Sequence, residues 1–166
     1  MARFSRGMGQ MTLESLVSRH GFTQGLTDEQ VARVAALATE VQFAEDALIL
    51  EEGQLSEYLY LLLSGSVAVE LRTSQFTVCV QALGASQAFG WSALLDHQDT
   101  FFQVRARESV HALRLQGREL KQLCRSDGQL GTELLLRTLR LVAGRVKATE
   151  ERFAEMCGVR LQAAAD

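Results

Sequence analysis

Proline is missing from all 166 residues, where ordinary usage of ~5% would give about eight; no functional reading follows from that alone. Cysteine is nearly as scarce. Cys79, Cys124 and Cys157 are odd in number, widely separated and in no C-x-x-C pair, so neither a disulfide framework nor a zinc site is expected. The three histidines, His20, His97 and His111, show no ligand spacing, and a metal-dependent β-roll enzyme needs clustered histidines with a carboxylate pointing inward. No G-x-S-x-G, Cys–His pairing or P-loop occurs either, so no catalytic role is expected. Positive charge is not in excess: the net charge is -3 and the pI about 5.7, without the basic face that displaces counterions from nucleic-acid phosphates. Residues Met1 to Met11 carry Arg3 and Arg6 but no apolar core of the ~7–15 residues a signal needs. A cytoplasmic protein, with no membrane span and no nucleic acid bound by this chain alone, is the expectation.

What is present is hydrophobic material, 47% of the chain, enough for one domain burying roughly 70% of its unfolded surface. Leu13, Leu16, Val17 and His20 fall at helical spacing and Gly21 follows as a stop. Thr27 and Gln30 make a capping box, with Leu26 and Val31 at the staple positions. Val31, Val34, Ala35 and Ala38 then form one apolar face, predicting a helix from about Asp28 to Thr39.

From Val41 the period shifts to two, and strand-forming runs cover Val41 to Phe43, Ala47 to Leu50, Tyr58 to Leu63, Val67 to Leu71, Phe76 to Leu83, Phe101 to Arg107 and Val110 to Leu115. Breaks at Gly53, Gly65, Gly84 and Gly90 suit the corners of an antiparallel roll or barrel of seven or eight strands. Val67, Val69 and Leu71 alternate with Ala68, Glu70 and Arg72, which predicts one wet face.

Arg118 to Cys124 reads as a short helix and Gln129 to Cys157 as the longest one. On the latter, Leu135, Leu139, Val142, Val146, Thr149, Phe153 and Met156 follow steps of four and three, a heptad seam with Thr149 its polar member. Such a face either packs on its own roll or self-associates; a homodimer helix is the expectation, because the seam outruns what a small roll can cover. Arg137, Arg140, Arg145, Lys147 and Arg152 on this helix are offset by Glu133, Glu150, Glu151 and Glu155, a solvated mixed-charge face. The expected organisation is a disordered N-terminus at 1–10, a domain at 11–157 (helical to 40, β-roll at 41–115, helices from 116) and a tail at 158–166. Ten residues, Cys157 to Asp166, follow the seam without a recognition-helix pattern.

Several motifs then converge. Gly25-Leu26-Thr27-Asp28-Glu29 precedes the second helix, Glu52-Gly53 follows a strand, and Tyr58-Leu59-Tyr60-Leu61-Leu62-Leu63-Ser64-Gly65-Ser66-Val67 and Leu83-Gly84 lead to Phe89-Gly90-Trp91-Ser92-Ala93-Leu94-Leu95, with Val104-Arg105-Ala106 beyond. The chain resembles the cyclic nucleotide-binding domain family, to which catabolite-activator-like regulators, kinase regulatory subunits and cyclic-nucleotide-gated channels belong, over about Leu13 to Met156. The resemblance implies a mainly β fold with flanking α: an eight-stranded antiparallel jelly-roll-like barrel, short N-terminal helices, and a long C-terminal helix serving as lid and dimer seam.

In the family, backbone N–H groups at the start of a short cassette helix face the cyclic phosphate, an arginine neutralises it and a glutamate accepts from the ribose 2′-hydroxyl. The candidate cassette is Phe89, Gly90, Trp91, Ser92, Ala93, Leu94, Thr100 and Phe101, with Trp91 in the glutamate position and Thr100 in that of the arginine. Asp96 and Asp99 add negative charge beside Thr100, and Arg105 and Arg107 lie, by strand alternation, on the face opposite Phe102, Val104 and Ala106. The chain is therefore expected not to bind cyclic AMP or cyclic GMP tightly. Trp91, Phe101 and Phe102 either line a pocket for another small ligand, nucleotide-like or not, or fill a vestigial one as core. The functional expectation is a stand-alone regulatory module that meets an unknown protein partner and needs no cofactor. The alternative is the sensor part of a catabolite-activator-like transcriptional regulator.

Overall fold

The computed structural model describes residues 11–95 and 102–158. Expectations placed on 1–10, on Thr100 and Phe101, and on most of the 158–166 tail fall outside them. Helix α1 (Leu13–Arg19) starts at Thr12, whose hydroxyl accepts the Ser15 N–H, and buries Leu16 and Val17. Helix α2 (Asp28–Ala35) carries the expected capping box, Thr27 and Gln30 exchanging both hydrogen bonds. It stops at Ala35 rather than Thr39, because Ala38 and Thr39 are claimed by strand β1 (Ala38–Phe43), paired with Leu115 and Arg114. Ladder bonds to a distant strand outweigh the local helical preference of two alanines.

Seven further strands follow: β2 (Leu48–Leu50), β3 (Tyr58–Ser64), β4 (Val67–Arg72), β5 (Thr77–Leu83), β6 (Ala88–Phe89), β7 (Gln103–Ala106) and β8 (Val110–Gln116). Among the described residues they form two antiparallel sheets, ordered β1-β8-β3-β6 and β2-β7-β4-β5. Among the described residues the sheets do not join edge to edge, so the expected jelly-roll-like barrel takes the form of an open roll. Strand β6, two residues long and bonded to Tyr60 and Leu61, was not anticipated; a run that short leaves no periodicity to detect.

Two cores explain the unbroken apolar run in β3. Leu59 and Leu61 point to a helical layer with Val17, Val34, Leu113, Leu115, Leu120, Leu130 and Leu134. Tyr60 and Leu62 point into the roll with Val67, Val69, Leu83, Phe89, Val104 and Ala112. A strand covered on both faces loses its polar alternation. The wet face expected of β4 is likewise absent: Val67, Ala68, Val69 and Glu70 are all buried. The Glu70 carboxylate accepts from Gln103 Nε2 at 2.7 Å and from Arg105 Nε at 3.4 Å, the pairing a buried charge requires.

Helix α3 (Gly117–Ser126) and helix α4 (Gly128–Met156) complete the helical layer. Asp127 caps α4 by accepting the Leu130 N–H at 3.0 Å and forms an ion pair with Arg33 of α2, tying the long helix to the N-terminal pair. Among the described residues, no helix is long and apolar enough to cross a membrane, and no group of histidine, cysteine and carboxylate side chains is arranged to hold a metal ion.

Candidate functional site

The cassette forms where β6 gives way to a single 3-10 turn, Trp91–Leu94, entered through Gly90 at φ 82° and ψ 23°. That left-handed conformation favours glycine, and a Cβ there would also run into the Tyr58 carbonyl. The turn closes with Ala93 N–H to Gly90 O and Leu95 N–H to Ser92 O, both 3.0 Å. Gly117, at the start of α3, packs so tightly on the Ala93 carbonyl that no side chain fits between them.

The cassette side chains divide between the two cores. Phe89 is buried in the roll, stacked on Tyr60 with ring centroids 4.8 Å apart, so it is core and not a free pocket wall. Burial raises the Tyr60 phenol above its ordinary value, the nearby Arg114 opposing. Ala93 is buried, and Leu94 and Trp91 pack on the helical layer. Trp91 does both things the sequence left open: half-buried against that layer, it also lines a cavity of about 390 Å³ between the roll and α4. Ser92 is half-buried.

Arg105 cannot supply the missing cassette charge. It is bound to Glu70 and donates to the Asp46 carbonyl at 2.9 Å, while Arg107 is exposed. The positive charge near Trp91 comes instead from α4: Arg137, Arg140 and Arg145 line the same cavity, opposite Gln81, Gln87 and the α1–α2 loop at Gly21 and Phe22. For Arg137 and Arg145 this corrects the expectation of a solvated mixed-charge helix face, while Arg140, Lys147 and Arg152 are exposed as expected. Arg137 is only 13% exposed at its side chain, donating to the Phe22 carbonyl at 3.1 Å and lying 3.5 Å from Glu133. Arg145 sits over the Phe102 ring at 5.5 Å. Burial lowers its guanidinium to about 10, with Cys79 pulling upward, which leaves it charged at neutral pH. The overlooked signal was the step of four through Arg137, Leu141 and Arg145, continuing the buried stripe of Leu130, Leu134 and Thr138.

The seam residues take a neighbouring face of α4. Leu135, Leu139, Val146 and Phe153 are 68%, 60%, 50% and 69% exposed; Val142 and Thr149 are half-buried, and the Thr149 hydroxyl is satisfied by the Arg145 carbonyl at 2.9 Å. Leu135, Leu139, Val146 and Phe153 therefore do not pack on the roll. Of the other basic residues on α4, Arg152 pairs with Glu155 at 2.6 Å.

A family model described as the cyclic nucleotide-binding domain matches residues 40–127. Similar solved structures include a candidate cyclic nucleotide-binding protein from Geobacter metallireducens, 27% identical with a TM-score of 0.70 over 82% of this chain and 99% of that one. A cyclic nucleotide-binding domain from Methylobacillus flagellatus is 21% identical with a TM-score of 0.74, over 93% and 85% of the two chains. The catabolite activator protein of Thermus thermophilus is 21% identical with a TM-score of 0.68, over 82% of this chain and 63% of that one. No curated protein matches the chain.

Proposed function

The chain belongs to the cyclic nucleotide-binding domain family, and from that premise we propose that it is a non-catalytic regulatory sensor module that does not hold cyclic AMP or cyclic GMP tightly. One observation carries this reading: at the first position of the cassette turn, where the family pattern has a hydrogen-bond-accepting glutamate, stands the half-buried indole of Trp91. Indole only donates. The change at Thr100 removes the charge partner of the phosphate as well. Losing a buried charge-assisted contact costs about 2–5 kcal/mol and losing a sugar hydrogen bond roughly 1 kcal/mol more. At about 1.4 kcal/mol per decade, a micromolar site weakens by roughly two to four decades, to about 0.1 mM or beyond. Thermal shift against a panel of cyclic mono- and dinucleotides tests this: cyclic AMP and cyclic GMP are expected to leave the melting temperature unchanged, and stabilisation by either at micromolar concentration would contradict it.

The module is a homodimer in this reading, joined through Leu135, Leu139, Val142, Val146, Thr149 and Phe153 of α4. Support comes from the exposed apolar row, whose contact with a second copy would remove it from water. A second reading, the sensor part of a catabolite-activator-like transcriptional regulator, is favoured by the likeness to the Thermus thermophilus protein. Whether the gene's reading frame continues past Asp166 into a DNA-reading domain decides between the two.

A further inference from the structure

We propose that the cavity between α4 and the roll is an anion site, charged by Arg137, Arg140 and Arg145 in place of the cassette, and that it takes a compact organic or inorganic dianion bearing phosphate or carboxylate groups. The proposal rests on the sensor reading above and names the chemical class of the sensor's ligand.

Three observations meet in this cavity. The first is charge without compensation. All three arginines line one cavity of about 390 Å³, and among the described residues the carboxylate that pairs with any of them is Glu133, on Arg137 at 3.5 Å. A pocket carrying three positive charges and one negative is an unfavourable arrangement until an anion enters, because like charges in a partly dry site repel with little screening.

Second, the donors are left unused. Arg145 Nε and Nη1 and Arg137 Nε have no hydrogen-bond partner among the described residues and almost no exposed surface, so they meet an anion once their side chains turn toward the cavity. Buried polar atoms are nearly always satisfied, and a planar guanidinium fork is built to meet carboxylate or phosphate oxygens two at a time. The Phe102 ring beneath Arg145 offsets part of the desolvation but accepts no hydrogen bond of ordinary strength.

Third, the dimensions fit. Arg137 and Arg145 are eight residues apart on one helix, about 12 Å along its axis, with the exposed Arg140 between them in the chain. Side chains of that reach can converge on one small ligand from two sides. The cavity is near the lower end of the ~300–1,000 Å³ typical of small-molecule sites. Gln81 and Gln87 lie on its opposite wall and Trp91 supplies an apolar face, so a dianion with a short carbon or phosphorus backbone suits it.

Calorimetric titration of the full chain at low ionic strength, with sodium pyrophosphate in one arm and succinate in the other, tests the proposal. Saturable binding of at least one, with a dissociation constant below about 1 mM, is expected, and the arm that binds identifies phosphate or carboxylate as the preferred group. Arg140→Gln, at an exposed position where folding is not at stake, should weaken that binding about five-fold, and Arg145→Gln about ten-fold. Ligand-free Arg145→Gln should melt no lower than wild type, since it removes a buried charge that has no acidic partner; a purely structural arginine would lower it. Flat titrations in both arms, or unchanged affinity in either variant, would overturn the anion site. A parallel cyclic AMP titration separates the two claims, because tight cyclic AMP binding overturns the sensor reading whatever the anions do.

Discussion

Trp91 keeps the cassette turn packed on the helical layer and, in the proposed reading, removes a hydrogen-bond acceptor from it. In a turn held by Gly90 and pressed on α3 through Gly117, the indole serves as packing for the helical layer and as wall for the cavity. The turn itself depends on Gly90. Gly90→Ala combines a left-handed backbone with a clash at the Tyr58 carbonyl and should cost about 2 kcal/mol or more, a drop of roughly 4–8 °C in melting temperature for a domain of this size. A second prediction concerns His20. Burial holds its imidazole below the ordinary 6.5, with the carbonyls of Leu62 and Gln87 pulling the other way. The neutral ring is matched to its surroundings: Nδ1 accepts the Phe22 N–H and Nε2 donates to the Leu62 carbonyl, each at 3.1 Å. A proton on Nδ1 would set donor against donor. The unfolded chain takes up that proton below about pH 6.5 and the folded one only at lower pH. The His20 contribution to stability is thus fully present above pH ~6.5 and is lost as the pH falls through the lowered folded value. Melting curves from pH ~7 to ~5.5 should show wild type losing more stability than His20→Gln; parallel losses would remove His20 from the account.

At the scale of elements, α4 carries three separate duties around its circumference. Leu130, Leu134 and Thr138 anchor it, Arg137 and Arg145 face the cavity, and Leu135, Leu139, Val146 and Phe153 face outward. Changing Leu139 and Val142 together to Glu should halve the sedimenting mass of a dimer while leaving the monomer's melting temperature within about 2 °C, because these positions are not in the buried core. An unchanged mass would refute the seam. The heptad row was legible in the sequence because a periodic apolar row registers without knowledge of the partner. The arginines were not. Their count balances against Glu133, Glu150, Glu151 and Glu155, and only the rotation of α4 against the roll, a property of the packed layer, turns two of them inward. The same limit ended α2 early at Ala35, where pairing with β8 is non-local, and hid β6.

Across the whole molecule, the roll was readable because its motifs fall on positions with narrow physical requirements. Thr27 and Gln30 exchange caps, Gly90 takes a left-handed turn, and the Tyr58–Leu62 run is buried between two cores. The cassette turn is legible at Trp91 and its neighbours, whereas the arginines of the proposed anion site lie on α4. Conserving the frame while moving the charge predicts a protein that keeps the family's shape without its usual ligand. Calorimetric titration of cyclic AMP into the wild-type chain tests that claim most directly. No saturable binding below about 0.1 mM is predicted, and a dissociation constant below about 10 μM would contradict it.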